Sequence, residues 1–467
     1  MLASPPGFAG LRASARLRLT VHPEKPGHAI APDFAGLSYE TSQLSDPSFF
    51  SRENGPLAGF HRRLGTAGIL RIGGNTSEFS VWSPAAAPIQ PMAEALGPDI
   101  GRHPAPRRPV TPLAVRNLRG FLELSGWRLI YGLNMGSESP ETVAAEAAYV
   151  AGVMGDRLVA FQLCNEPDLF ARNGLRPADY DYRQFATEWR RYFHALRQRL
   201  PQVPIAGPDT AGNNEWLLRF ADEQRHEVAF LTHHYYAEGP PTDPSMTIGR
   251  LLGPSPRLQA EFAAVAGARR QTGLPFRMAE TNSCYQGGKP GVSDTFASAL
   301  WAADLMYQLA QAGAIGVNFH GGGYGWYTPV AGTRANGFVA RPEYYGMLLF
   351  AVAGAGRLVM TELEGADGSL AAHCLKTSDG TLKLVLLNKS LDRDATLTVG
   401  APGAKSASVL RLIAPRPDDT TDVTFGGAVV GNDGAWTPTV AESPAVRRGS
   451  LTLGVPRASG ALVTLSA

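Results

Sequence analysis

The chain has 467 residues, of which 44% are hydrophobic and 18% charged, a balance typical of a globular protein with a sizeable core. A formal net charge of only +2 gives no support to a nucleic-acid partner or an anionic membrane surface. Three cysteines without a Cys-x-x-Cys pair exclude a disulfide framework, and no apolar run approaches the roughly 20 residues of a membrane helix. The first residues lack the basic-then-apolar pattern of a secretion signal, which leaves the cellular compartment open.

The first predicted element is a strand at residues 16–21, where apolar and polar residues alternate. From about residue 30 to 355, short apolar runs then alternate with longer amphipathic segments. The predicted strands are residues 33–40, 68–74, 128–134, 158–166, 204–209, 228–236, 275–280 and 313–321. Helical spacing of apolar residues recurs at 140–155, 183–200, 294–313 and 344–355. Eight such units predict a (β/α)8 TIM barrel; a doubly wound open sheet is the alternative, but no dinucleotide-type glycine turn follows the first strand.

After about residue 356 the pattern changes to short segments of period two separated by Gly, Asp and Pro turns. This alternation is typical of an antiparallel β-sandwich. Because residues 16–21 have the same character, we expect both chain ends to build one accessory domain. The predicted division is 1–28 for the N-terminal part of the sandwich, 29–355 for the barrel and 356–467 for the C-terminal part of the sandwich.

The fourth and the seventh predicted barrel strands each end in a single carboxylate, Glu166 and Glu280. A carboxylate costs several kcal/mol to leave unpaired in an apolar setting, so each is either paired or used. Catalytic groups of TIM barrels lie at the carboxyl ends of strands, which brings these two together at the barrel mouth. Two carboxylates at one mouth predict glycoside hydrolysis, with retention at a separation of about 5–5.5 Å and inversion at about 6.5–9.5 Å.

Neighbouring residues are candidates for supporting roles. The amide of Asn165 can contact a sugar 2-hydroxyl, and His234 and Tyr236 end the sixth predicted strand beside Glu280, where a phenol can hold a carboxylate ionised. Glu40 ends the first predicted strand and is either a sugar contact or a structural carboxylate. Tyr327 is either a sugar contact or loop packing.

Three other inferences concern buried groups and metal. Period two puts Cys164 and Met278 on the same side as the two glutamates, as barrel filling beneath the site. Cys164 is then a buried thiol rather than a nucleophile. A metal site is not expected, because the first predicted strand has no His-x-His and no Asp follows the eighth. No cofactor is predicted.

The chain resembles bacterial β-glucuronidases of glycoside hydrolase family 79, which are relatives of heparanase. The resemblance covers nearly the whole chain and lies in six segments: GLSYE (36–40), LRIGGNTSEF (70–79), FQLCNEPDLF (161–170), THHYYAEGPPTDPSMT (232–247), ETNSCYQGGKPGVSDTF (280–296) and NFHGGGYGWYTPVAGT (318–333). It implies Glu166 as acid/base and Glu280 as nucleophile. It also implies that a uronate carboxylate is bound near Tyr285, Gln286 and Tyr327, which accords with neutral donors to an ionised group.

The sequence therefore predicts a retaining exo-β-glucuronidase that acts on carbohydrates with a terminal glucuronic acid. An endo-acting, heparanase-like hydrolase of a uronate-containing polysaccharide is the first alternative. A non-catalytic carbohydrate-binding protein on the same scaffold and an exo-glycosidase for neutral sugars are the others. The oligomeric state is left open.

Overall fold

A computed structural model describes residues 15–84, 107–322 and 325–466. Within these residues, eight parallel strands close into a barrel, so the (β/α)8 prediction is confirmed. The barrel strands are β2 (Ala35–Glu40), β3 (Ile69–Gly73), β6 (Arg128–Gly132), β7 (Leu158–Gln162), β8 (Ile205–Thr210), β9 (Phe230–Glu238), β10 (Phe276–Cys284) and β11 (Gly316–His320). Every predicted barrel strand falls on one of them. Residues 1–14 and 323–324, on which parts of the expectations above fall, lie outside the described residues.

Helices surround this barrel. Those in the described ranges are α1 (Gly55–Arg63), α2 (Pro112–Ser125), α3 (Pro140–Met154), α4 (Tyr182–Arg199), α5 (Asn214–Glu223), α6 (Ile248–Leu252), α7 (Pro256–Thr272), α8 (Phe296–Gln311) and α9 (Pro342–Ala353). Side chains of Thr111, Ser139, Asp181, Asn213 and Ser255 accept hydrogen bonds from the first turns of α2, α3, α4, α5 and α7. These caps pin the loops that leave the carboxyl ends of the strands. Across the described part of the chain, no helix combines the length and apolarity needed to cross a bilayer.

The accessory domain is a nine-stranded sheet in the order β19-β18-β21-β16-β15-β14-β1-β17-β20, as far as the described residues show. Its strands are β1 (Ala15–Ile30), β14 (Gly356–Glu364), β15 (Leu370–Lys376), β16 (Leu382–Asn388), β17 (Ala395–Gly400), β18 (Ser406–Ile413), β19 (Thr424–Phe425), β20 (Ser450–Val455) and β21 (Ser459–Ser466). β1 pairs antiparallel with β14 and parallel with β17, which confirms that both chain ends build one β domain. The exact domain boundaries stay a prediction.

Two short strand pairs lie in the loops above the barrel: β4 (Ser80–Trp82) with β5 (Arg108–Val110), and β12 (Val330–Thr333) with β13 (Gly337–Ala340).

The barrel interior changes from apolar to polar along its axis. An apolar cluster joins Ile69, Ile130, Ala160, Ala206 and Phe230, one from each of five strands. Two residues further along three of these strands stand Arg71, Gln162 and Thr232, which hydrogen-bond to one another through Gln162. The apolar layer seals one end of the barrel, and the polar layer is the floor of the site described next.

Candidate active site

Glu166 and Glu280 come together at the carboxyl end of the barrel. A carboxylate oxygen of each, together with a ring nitrogen of His234, lies within 4.8 Å of the others. β7 ends at Gln162, so Glu166 stands beyond the strand, with left-handed backbone angles (φ 49°, ψ 54°) and its N–H donating to the Asp209 carbonyl at 2.8 Å. A non-glycine residue in this region costs energy and is found preferentially at functional sites. The two residues are 7% and 5% exposed, so both are accessible only through the barrel mouth.

A β-bulge determines the direction of Glu280. Met278 pairs with His233 and Glu280 with His234, which leaves Ala279 as an extra residue in β10. The bulge breaks the period of two, so Glu280 faces inward beside His234 while Met278 joins the core cluster shared with the helices. The expectation that Met278 lies on the same side as Glu280 is therefore wrong. Cys164 is buried, and burial raises the pKa of its thiol well above the usual value.

Arg71 of β3 organises the floor of the site. Its side chain is fully buried, and all five of its N–H groups donate hydrogen bonds. The acceptors are Gln162 Oε1 (2.9 Å), Ser38 Oγ (3.1 Å), Glu280 Oε2 (2.5 Å), Asn165 Oδ1 (2.7 Å) and Asp209 Oδ2 (2.6 Å). One guanidinium therefore orients Glu280 and the residue before Glu166 at the same time.

The surroundings of Glu280 favour its ionised form. Burial by itself raises the pKa of this carboxyl, but His320, His234 and Arg71 together lower it well below its ordinary value, helped by a hydrogen bond from Tyr236. The Tyr236 hydroxyl donates to Oε1 at 2.6 Å, and His320 Nδ1 lies 3.5 Å from Oε2. Glu280 is thus held as an anion in a water-poor setting, which suits a nucleophile.

His234 links Glu166 to the floor of the site. Its Nδ1 lies 3.0 Å from Glu166 Oε1, and its Nε2 lies 3.1 Å from Asp209 Oδ1. Burial lowers the pKa of this imidazole, but Asp209 and Glu280, with the contact to Glu166, raise it to about 10. A protonated His234 donates to one oxygen of Glu166 and leaves the other oxygen free to face the cavity.

The raised pKa of His234 implies that its contribution to the stability of the fold depends on pH. Folding favours the protonated ring, so its stabilising contribution is complete below the ordinary pKa of 6.5 and is lost as the pH rises through about 10. We expect the Tm difference between wild type and His234→Gln to shrink over that interval. Thermal melting across the pH range measures it, with His194→Gln on exposed helix surface as control. A difference that stays constant would contradict a charged His234.

Two further carboxylates are buried near the pair. Glu40 accepts hydrogen bonds from the N–H and hydroxyl of Thr76, and its Oε1 lies 3.4 Å from Nε2 of His320. His320 therefore stands between Glu40 and Glu280. Glu78 accepts from the backbone N–H of Asn165 at 2.5 Å, and burial raises its pKa to about 8. Glu78 thus supports the backbone that presents Glu166.

A cavity of about 470 Å³ opens above these groups. Its lining residues are Glu40, Asn75, Glu166, Leu169, Arg172, Asn173, Ala211, Tyr236, Arg257, Glu280, Tyr285, Gln286, His320 and Tyr327. Most of the candidate site residues predicted from the sequence therefore line the same cavity. Asn165 and His234 are buried beneath it. The Tyr327 and Tyr236 rings lie 6.1 Å apart, centroid to centroid.

Glu166, His234 and Glu280 also form a candidate metal cluster by distance alone. Their partners do not fit this use, because Arg71 and Tyr236 already occupy both oxygens of Glu280. A divalent cation would also lie beside the Arg71 guanidinium. The absence of a metal stays a prediction.

Comparisons with known proteins agree with this chemistry. No family model matches the chain. A β-glucuronidase from Aspergillus niger is 26% identical over 457 residues, covering 85% of this chain and 80% of that one. A heparanase from Mus musculus is 23% identical over 432 residues, covering 79% and 78%. The chain is a homologue of glycoside hydrolases. These relatives are fungal and animal, so kinship with bacterial enzymes stays a prediction.

Among solved structures, a 4-O-α-L-rhamnosyl-β-D-glucuronidase from Fusarium oxysporum has a TM-score of 0.75 at 17% identity. The match covers 96% of this chain and 100% of that one. At this identity the likeness supports the fold: a barrel with a β domain.

Among the site residues that sequence reasoning missed are Arg71, Asp209 and His320. Arg71 did carry a signal, because a lone arginine inside an apolar barrel strand needs buried acceptors. Asp209 and His320 each stand at or near the end of a predicted strand, where site residues were sought. Their partners come from other strands, so their roles were not readable locally.

Proposed function

We propose that the protein is a retaining exo-β-glucuronidase that hydrolyses terminal β-D-glucuronides by double displacement. The observation that carries the proposal is the approach of Glu166 and Glu280 to within 4.8 Å, oxygen to oxygen. Retaining enzymes hold their carboxyl groups about 5–5.5 Å apart, whereas inverting ones leave about 6.5–9.5 Å for a water molecule.

In the first step Glu280 attacks the anomeric carbon while Glu166 gives its proton to the glycosidic oxygen. The bond between that carbon and oxygen breaks, the alcohol leaves, and a glucuronyl ester on Glu280 remains. Glu166, now a carboxylate, takes a proton from water, whose oxygen attacks the same carbon and releases Glu280. The cationic surroundings of Glu280 support its role as the anion in the first step and as the leaving group in the second.

The residues that line the cavity after β10 and β11 support a preference for a uronate. Tyr285, Gln286 and Tyr327 stand there with hydroxyl and amide donors, which can hydrogen-bond an ionised carboxylate. The relatives named β-glucuronidase support the same substrate class.

Exo action is supported by the loops after β10 and β11. The N–H of Trp326 donates to the Gly287 carbonyl at 2.5 Å, and Arg341 donates to the Gly325 carbonyl at 2.7 Å. The first contact joins the two loops at one side of the cavity, and the second braces the connection between β11 and α9 from within. Homology to heparanase makes endo cleavage the second candidate. Sizing the products of a uronate-containing oligosaccharide separates the two, since exo action releases monosaccharide from the outset and endo action releases oligosaccharides.

A panel of aryl glycosides tests the substrate. We expect turnover of the β-glucuronide to exceed that of the glucoside, galactoside and xyloside, and Tyr327→Phe to lower the glucuronide-to-glucoside ratio of kcat/KM by about tenfold, the value of a lost hydrogen bond to a charged group. Tyr149→Phe, outside the cavity, is the matched control. Wild-type protein inert on the whole panel would instead favour a non-catalytic carbohydrate-binding protein.

Replacing Glu166 tests the acid role. Because a poor leaving group needs a proton and an activated one does not, Glu166→Ala should lower kcat/KM by about 10²–10⁴ for alkyl glucuronides and far less for nitrophenyl glucuronide. Exposed Glu227→Ala serves as the control. Equal losses on both substrates would argue that Glu166 is not the acid.

A further inference from the structure

Two arginines at the cavity have no anionic partner among the residues that the structure describes. Arg172 and Arg257 line it, both are exposed, and no carboxylate of the described residues lies within ion-pair distance of either. Arginines close by in the chain are paired: Arg176 with Glu188 at 2.6 Å and Arg250 with Glu238 at 2.7 Å. Arg257 instead has its guanidinium carbon 5.8 Å from the centre of the Tyr235 ring.

The carboxylates of the cavity do not neutralise this pair. Glu280 is held by Arg71 and Tyr236, Glu40 by Thr76 and His320, and Glu166 by His234. Each acidic side chain that lines the cavity thus already has a partner other than Arg172 or Arg257. The charges of Arg172 and Arg257 are left to solvent or to a ligand.

Both arginines lie on the side of Glu166. Arg172 belongs to the loop between β7 and α4, and Arg257 is the second residue of α7, which follows β9. β7, β8 and β9 are consecutive in the closed barrel, and the loops with Tyr285 and Tyr327 follow β10 and β11. The acid must reach the glycosidic oxygen, so the leaving group lies against the Glu166 side.

We propose that the leaving-group side of the cavity binds an oxyanion, a carboxylate or a sulfate, carried by the aglycone next to the terminal glucuronic acid. The inference rests on the proposed function and names the substrate class more closely. A guanidinium offers paired N–H donors that match the oxygens of either group, and it is more weakly hydrated than an ammonium, which lowers the cost of binding an anion.

The experiment compares aryl β-glucuronides whose phenols have matched pKa values and carry a carboxylate, a sulfate ester or a neutral methyl amide. The quantity measured is the ratio of kcat/KM for each anionic substrate to that for the neutral one, at low and at high salt. We expect wild type to prefer the anionic substrates by about tenfold or more at low salt, and Arg172→Gln and Arg257→Gln each to lower the ratio several-fold. Arg183→Gln is the control and should keep the wild-type ratio, because Arg183 is an exposed residue of α4 outside the cavity and forms no ion pair within the described ranges.

The two anionic substrates show whether carboxylate or sulfate is preferred. A ratio near one in wild type, or one that both cavity variants leave unchanged, would overturn the inference while the proposed function stands. Equal losses on the anionic and neutral substrates would assign the arginines to the uronate itself and also overturn it. Failure of wild type to cleave any of the three glucuronides would overturn the proposed function, and the inference with it.

Discussion

Replacing Glu280 with glutamine is expected to lower kcat/KM for aryl β-glucuronides by at least about four orders of magnitude, the scale of loss when a nucleophile is removed. The neutral amide cannot form the glucuronyl ester, although its oxygen can still accept the hydrogen bond from Arg71 while its NH2 donates to the Tyr236 hydroxyl oxygen. Glu146→Gln is the matched control, because Glu146 is also buried but bonds Tyr131 away from the cavity. Wild-type-like turnover by the Glu280 variant would reject the assignment of the nucleophile.

A smaller residue at this position gives a second readout. Glu280→Gly opens space beside the anomeric carbon, and azide can then attack that carbon in place of the carboxylate. We expect azide to restore cleavage of nitrophenyl glucuronide and to yield the α-configured glucuronyl azide, identifiable by NMR. A β-configured product would show that another group had acted as nucleophile.

Arg71→Met is expected to lower the free energy of unfolding by about 3–5 kcal/mol, the cost of leaving buried charges without their partner. The substitution removes five hydrogen bonds and takes from Glu280 and Asp209 the guanidinium that pairs with both. Denaturation with urea measures the change, and thermal melting checks it. Activity should fall as well, since Glu280 loses one of the groups that keep it ionised.

Arg277→Met is the matched control for this prediction. Arg277 is a second buried arginine of the barrel, but its hydrogen-bond acceptors are neutral: Asn318 and the carbonyls of Asp33 and Phe34. Burial lowers the pKa of Arg277 to about 9, so keeping this side chain charged costs free energy. Methionine removes that cost and leaves no buried carboxylate without its partner. A loss at Arg277 equal to or greater than that at Arg71 would contradict the account of the Arg71 network.

The order and type of the main elements could be predicted from the sequence. Each barrel strand is a short apolar run, and each has a glycine, proline or polar turn beside it, so burial and local turn chemistry mark it without any distant partner. The alternation of residues 16–21 likewise sufficed to assign the N-terminal strand to the sheet at the other end of the chain. Glu166 and Glu280 were visible for a similar reason, because a lone carboxylate next to an apolar run stands out.

The ends of strands and the directions of side chains were harder to predict from the sequence. β7 ends before Glu166, and β10 continues past Glu280 to Cys284. The bulge at Ala279 places Met278 and Glu280 on opposite faces of β10, since a single extra residue moves the side chains after it to the other face.

The sequence by itself determined the barrel and the domain built from both ends, because these follow from local periodicity, and it pointed to the two carboxylates proposed as catalytic. Only the tertiary structure decided the environment that makes the carboxylates different. Arg71 donates hydrogen bonds to residues in or next to β2, β7, β8 and β10. The most distant of them in sequence, Glu280, lies 209 positions away. Such contacts depend on how the strands are placed around the closed barrel, and that placement is fixed by packing between distant segments rather than by the residues beside each strand.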